Sequence, residues 1–168
     1  GEIFVVGLYV DNLQIVHSVD IDDKGNAPPS SFCASFLKAL NETWDVLDEG
    51  PMVDLLGIQA RHNADGSITL HQEAYIDKLV ERFLPGGVPP SLQGTSLPYS
   101  RNLDKHVSDA AACTGVDYPH LVKPFQERIG SLMYATTSTR CDIAYPVHQL
   151  CKCLAKPTPE LMEEADRI

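Results

Sequence analysis

The chain has no apolar run near the roughly 20 residues that cross a bilayer and no basic, apolar, small-residue leader at its start. A membrane span is therefore not expected. Basic charge is also scarce. Thirteen Lys and Arg face 23 Asp and Glu, for a formal net charge of −10. Affinity for nucleic acid comes largely from phosphate neutralisation, so binding to nucleic acid is expected to be weak or missing. Paired CxxC spacing is lacking. The five cysteines (Cys33, Cys113, Cys141, Cys151, Cys153) are odd in number and scattered, which argues against a disulfide framework and a zinc site. Cys151 and Cys153 stand too close for ordinary tetrahedral ligation. The reading is reduced thiols packed as small hydrophobes, in a reducing compartment rather than a secreted one. The six histidines show no HExxH or paired spacing, and no nucleophile elbow or Gly-rich phosphate loop appears. Asp20 to Gly25 has the look of a calcium loop, but Lys24 and Ser31 stand where ligands belong, so it reads as a solvated acidic loop.

What is present is 168 residues, enough to bury a core in one domain or one and a half small ones. Charge is unevenly spread: −8 over residues 1 to 60, −2 over the remainder, and +3 over residues 121 to 157. Lys123, Arg128, Lys152 and Lys156 lie in that mildly basic stretch and are the candidates for what nucleic-acid contact there is. The chain opens on Gly1, which suggests a processed product or an excised fragment.

Local pattern predicts an α+β chain. Residues 3 to 10 and 12 to 19 are β-branched and aromatic, with a tight turn expected at Asp11–Asn12. Ser30 or Ser31 caps a helix to about Trp44, with Phe32, Phe36, Leu40 and Trp44 as its apolar stripe. Residues 53 to 61 and 67 to 72 flank a turn signal ending in Gly66 and form a second hairpin. A helix follows from Gln72 or Glu73 to Leu84, with Tyr75, Ile76, Leu79, Val80 and Phe83 inward. Residues 85 to 120 have no period and read as an extended Pro/Gly-rich connection over the surface. Residues 124 to 138 are helical on Phe125, Ile129, Leu132 and Met133. Asp142 caps the next helix, with Pro146 in its first turn. Thr158 and Pro159 start the last. Arg140 and Asp142 read as a cap and ion pair.

Three blocks carry a resemblance: LYVDNLQIV; DLLGIQARHNADGSITLHQEAYIDKLVERF; and FQERIGSLMYATTSTRCDIAYPVHQLCKCLAKPTPE. In this order they resemble the reverse transcriptase (RNA-directed DNA polymerase) of copia-type retrotransposons, with its YVDD hairpin, its FLGI…LxQxxY block and its YRxxVGSLLY…TRPDIA block. The resemblance implies a partial palm over residues 1 to 84, with polymerase palm-like hairpins, the connection over 85 to 120, and a helical thumb-like segment over 121 to 168. It implies that Asp11 and Asn12 are the vestigial catalytic turn, with Asp11 a weak metal ligand. It also implies that Leu56, Gly57 and Ile58 form a primer-grip-like hairpin and that magnesium is the family's ion. Template-directed nucleotide transfer uses two divalent ions about 4 Å apart.

The sequence departs from that pattern. Asn12 stands where the family has its second Asp, Cys141 replaces the Pro of R-P-D, and Leu161 falls near a frequent His. The chain also begins only a few residues before the hairpin, short of the strand bearing the family's earlier aspartate. The expectation is a degenerate, inactive reverse-transcriptase region that holds no cofactor by itself. The alternative is a non-catalytic structural or interaction subunit of a larger assembly, whose apolar faces other protein chains cover.

Overall fold

The computed structural model describes residues 1–20, 22, 27–90, 97–112 and 117–168. Most of the calcium-loop-like stretch and Cys113 lie outside the described residues. The chain is α+β, with two small antiparallel sheets and six α-helices among the described residues. It divides into two compact units, Gly1–Val53 and Asp54–Ile168.

In the first unit, β1 (Phe4–Tyr9) and β2 (Asn12–His17) pair antiparallel, from Phe4↔His17 to Tyr9↔Asn12. The two-residue loop is therefore Val10–Asp11, one residue earlier than expected. Asn12 is the first residue of β2. Backbone and hydroxyl bonds between Ile3 and Ser18 close the open end, at 3.0 and 2.8 Å. Period-two alternation puts Phe4, Val6 and Leu8 on one face with their partners His17, Ile15 and Leu13. The helix α1 (Phe32–Thr43) follows, and its N-cap Ser31 accepts from Ala34 N at 3.1 Å. Phe4 packs edge-on to Phe32 and Phe36, with centroids 5.0 and 5.2 Å away.

The stripe expected on α1 is corrected. Cys33 is its buried residue, while Phe32 and Trp44 are 58 % and 63 % exposed. Four-residue steps drift about 40° per step around a 3.6-residue helix, so 32, 36, 40 and 44 do not share one face.

The second unit begins with β3 (Asp54–Leu55), β4 (Ile58–His62) and β5 (Ile68–His71), in the order β3-β4-β5. The single strand expected over 53 to 61 is thus two. Leu56 (φ 56°) and Gly57 (φ 78°) form a two-residue loop between them, the positive-φ pair that matches strand twist. The next loop turns at Gly66 (φ 83°), whose N–H donates to the Asn63 carbonyl at 3.0 Å.

Five helices follow: α2 (Glu73–Phe83), α3 (Leu103–Ala112), α4 (Pro119–Ser138), α5 (Ala144–Cys151) and α6 (Pro159–Arg167), with a short 3₁₀ turn at Cys141–Ile143. The core lies among α3 to α6. Leu103, Phe125, Ile129, Ile143, Val147, Leu150 and Leu161 are all at most 2 % exposed. On α2 the expected inward residues Tyr75 and Ile76 do pack against it. Thr158 caps α6, accepting from Leu161 N at 3.4 Å.

Three expectations fail here. The extended connection over 85 to 120 carries α3, which buries Leu103, Val107 and Ala110; Leu103, Val107 and Ala110 at three- and four-residue spacing supply one narrow apolar face that the surrounding Pro and Gly obscure. α4 starts at Pro119, five residues before its expected start, and runs through Pro124; Pro119 sits at the first position, where a missing N–H costs nothing, whereas Pro124 lies inside the helix and removes one ladder bond. Asp142 is not the N-cap of α5. The α5 N-cap is Ile143, whose apolar side chain makes no cap bond, while Arg140 donates to both Asp142 oxygens at 2.8 and 2.7 Å.

Candidate functional site

The β1–β2 turn presents its polar residues to solvent. Asp11 and Asn12 are both exposed. Val10 holds φ 53° and is 82 % exposed. A β-branched residue at positive φ is an outlier, and the first central position of such a turn ordinarily takes Gly. On the face shared with Tyr9 and Asn12, Gln14 Nε2 donates to Met52 Sδ at 2.7 Å.

The donor set at this turn does not fit a two-ion magnesium centre. Such a centre uses several carboxylates as hard, charged ligands, and the turn brings one carboxylate and one neutral amide. Among the described residues no group of three or more His, Cys, Asp or Glu is placed to hold a metal ion. No catalytic step through an ion follows from these residues.

In the second unit, Leu56 and Gly57 are the loop and Ile58 opens β4. The Leu56 carbonyl accepts from the Tyr134 hydroxyl on α4, and Gly57 N–H donates to Asp54 Oδ1 at 3.3 Å. Tyr134 is itself held edge-on by Tyr75, 5.1 Å between centroids. The hairpin expected to grip a primer is therefore tied to the helices by a tyrosine.

The four basic candidates do not form one set. Arg128 is an internal brace: its Nε donates to Asp166 at 2.6 Å, and its guanidinium lies 4.8 Å over the Phe83 ring. Lys156 lies 3.6 Å from Asp117 in an exposed ion pair. Lys152 donates to Gln149 Oε1 at 2.6 Å. Lys123 is exposed on α4.

Two constellations escaped the sequence reading. Glu164 on α6 is 2 % exposed and accepts from Ser100 N at 3.0 Å, from the Ser100 hydroxyl, and from His106 Nδ1 at 3.1 Å. Ser, His and Glu meet, yet serine and histidine both bond the same carboxylate oxygen. The hydroxyl is a donor to a carboxylate and is not activated by the imidazole; the group is a clasp between α3 and α6. The other is a cavity beside β5 and α2 where Gln72 accepts from the Thr139 hydroxyl at 2.8 Å. These partners stand 58 to 67 residues apart, and no local pattern joins them.

The cysteines at 33, 141, 151 and 153 are free. Burial pushes the Cys33, Cys151 and Cys153 thiols above their ordinary range, the setting of unreactive packed thiols. Among the described residues no helix is long and apolar enough to cross a membrane.

No family model and no solved structure matches this chain. Two curated proteins do. The chain is 32 % identical over 158 residues to the retrovirus-related Pol polyprotein from transposon TNT 1-94 of Nicotiana tabacum, covering 93 % of this chain and 11 % of that protein. It is 26 % identical over 170 residues to a transposon Ty5-1 protein of Saccharomyces cerevisiae, covering 100 % of this chain and 48 % of that protein. The chain thus spans less than half of either relative, and it is a retrotransposon-related sequence.

Proposed function

We propose that these residues are a copia-type reverse-transcriptase region whose catalytic turn has decayed. One observation carries the reading: a two-residue turn between apolar strands that presents Asp11 beside Asn12, at the place of the family's YVDD hairpin. Support comes from the order of the three sequence blocks and from relatedness to a Pol polyprotein over 93 % of the chain. In this reading the first unit and the Leu56–Gly57–Ile58 hairpin derive from the palm, and the helices over 121 to 168 derive from the thumb.

The mechanism is defined by what the turn lacks. Two divalent ions would supply positive charge at the attacking and leaving oxygens, and Asp11 is the one carboxylate of this turn that could help to hold them. Asn12 offers an oxygen without charge, and losing a full negative charge beside a divalent ion costs several kcal/mol of transition-state stabilisation. This chain is expected to incorporate no nucleotide with magnesium or manganese, and Asn12→Asp alone is not expected to rescue it. Fusing the upstream half of an active copia-type domain to this chain separates the causes. Extension by the Asn12→Asp fusion alone identifies the turn as a decayed metal site; extension by neither places the loss beyond the turn. Primer extension by the unmutated, unfused chain defeats the reading.

A second reading, a non-catalytic interaction subunit, draws on the hairpin surface. Leu8, Tyr9 and Val10 are 74 %, 56 % and 82 % exposed, and exposed apolar strands attract partners. Native mass spectrometry of isolated material is expected, on this reading, to find a second polypeptide at fixed stoichiometry. Finding the bare chain alone counts against it.

A further inference from the structure

The segment that follows α1 in the first unit leaves its apolar side chains uncovered. Trp44 and Leu47 are 63 % and 81 % exposed. The helix stops at Thr43, and its C-cap Trp44 is already extended, with φ −131° and ψ 149°. Residues 45 to 50 form neither helix nor strand. The Trp44 N–H donates back to the Leu40 carbonyl at 2.9 Å. From Asp45 to Glu49, by contrast, no backbone N–H or carbonyl meets a partner among the described residues. Asp48 Oδ1 then accepts from the Gly50 N–H at 2.8 Å, and Gly50 turns the chain at φ 80°. A helix end and a turn thus bound a short strip with strand-like bonding capacity and none of its backbone bonds made.

The surrounding charge selects what covers it. Residues 42 to 49 (ETWDVLDE) carry Glu42, Asp45, Asp48 and Glu49 and no basic side chain. All four carboxylates are exposed. A second copy of the chain, itself at −10, would bring like charges together, and a phosphate-bearing surface is opposed for the same reason. The complement is a basic protein surface with room for two large apolar groups.

We propose that residues 44 to 49 are a docking strand for a protein partner. That partner presents an open β-sheet edge, two apolar pockets about 10 Å apart for Trp44 and Leu47, and a rim of Lys and Arg facing the carboxylates. The unpaired backbone supplies the added strand's hydrogen bonds, and the two side chains supply specificity. Trp is enriched among the residues that dominate interface energies. The inference rests neither on the polymerase reading nor on the β1–β2 surface.

Trp44 is the chain's one tryptophan, so its fluorescence reports on this segment alone. The probe is a tryptophan-free ubiquitin-fold domain with an open edge strand, two apolar pockets beside it and a basic rim. Titrated into the whole chain, it is expected to move Trp44 emission to shorter wavelength, saturating with a Kd of about 10 μM or tighter. Raising salt from about 50 to about 300 mM is expected to weaken binding severalfold. Leu47→Ala is expected to lower affinity about tenfold, and the pair Asp45→Lys and Glu49→Lys by at least as much. Should a variant lose the wild-type far-UV spectrum, the wild-type titration and its salt dependence decide alone. No saturable shift, affinity that Leu47→Ala leaves unchanged, or affinity indifferent to salt overturns the proposal. An emission shift on concentrating the chain without probe, accompanied by a doubled mass, assigns the segment to a second copy and overturns it as well.

Discussion

Arg128 Nε lies 2.6 Å from the Asp166 carboxylate, joining α4 to α6, while the same guanidinium stacks on Phe83 at the end of α2. Side-chain exposures of 17 % and 26 % make this a partly desolvated pair. Arg128→Ala is expected to lower stability by about 2 kcal/mol, from a charge-assisted bond and a cation–π contact. Arg128→Lys should recover little of that loss, because ammonium lacks the planar fork and the stacking face. Urea unfolding of the three proteins measures both.

Residual affinity for duplex should follow the lysines rather than Arg128. Net charge opposes phosphate approach, so a primer–template at about 150 mM salt is expected to bind no tighter than the micromolar range typical of non-specific contact. Lys123→Ala and Lys152→Ala should weaken it further, and Asp166→Asn should not. Fluorescence anisotropy at two salt concentrations decides; a sub-micromolar constant contradicts the expectation.

Val10→Gly is expected to stabilise the first unit. Positive φ at a non-Gly residue costs about 1–3 kcal/mol, against about 0.5–1 kcal/mol for the added freedom of Gly in the unfolded chain. Val10 is 82 % exposed, so little packing is lost. A net gain near 1 kcal/mol should raise hydrogen-exchange protection at Tyr9 and Asn12; lower protection counts against a strained turn.

Removing the Glu164 carboxylate should be among the costliest single changes in the second unit. Glu164→Ala leaves Ser100 N–H, its hydroxyl and His106 without their acceptor, for a loss of about 3 kcal/mol. Ser100→Ala removes one of those bonds and should cost about 1 kcal/mol. Equal, small effects from both, seen by chemical denaturation, contradict the clasp.

The Arg140 guanidinium holds the Asp142 carboxyl below its ordinary value, chiefly through their side-chain bonds. A depressed folded value contributes stability above the unfolded value, near 3.9, and that contribution is lost as pH falls through the folded one. The group is mostly exposed, so the effect is small. Wild type should exceed Asp142→Asn in melting temperature at pH 7, and the gap should close toward pH 3. A gap that widens on acidification reverses the assignment.

Local chemistry determined much of this protein. Apolar runs on either side of a polar pair specify the β1–β2 hairpin, Ser31 and Thr158 cap the helices they precede, and Tyr75, Ile76 and Phe83 repeat at helical spacing along α2. The three motif blocks, read in order, pointed to the retrotransposon relationship that the curated relatives support. Each of these signals is complete within a few residues, or in linear order, so it needs no folded partner.

Tertiary structure decided the rest. Whether residues 103 to 112 drape or fold depended on α4 to α6 offering an apolar surface to Leu103 and Val107. Whether Arg128 faces solvent or braces depended on Phe83 and Asp166, 45 and 38 residues away in sequence. The turn moved from Asp11–Asn12 to Val10–Asp11 because the register of the whole hairpin, and not the turn propensity of two residues, sets which pair closes it. The Gln72 amide oxygen meets the Thr139 hydroxyl only because α4 and the residue after it return to the start of α2, a bond across 67 residues. A side chain's composition states what it is able to bond; the packed neighbours determine which of those bonds form.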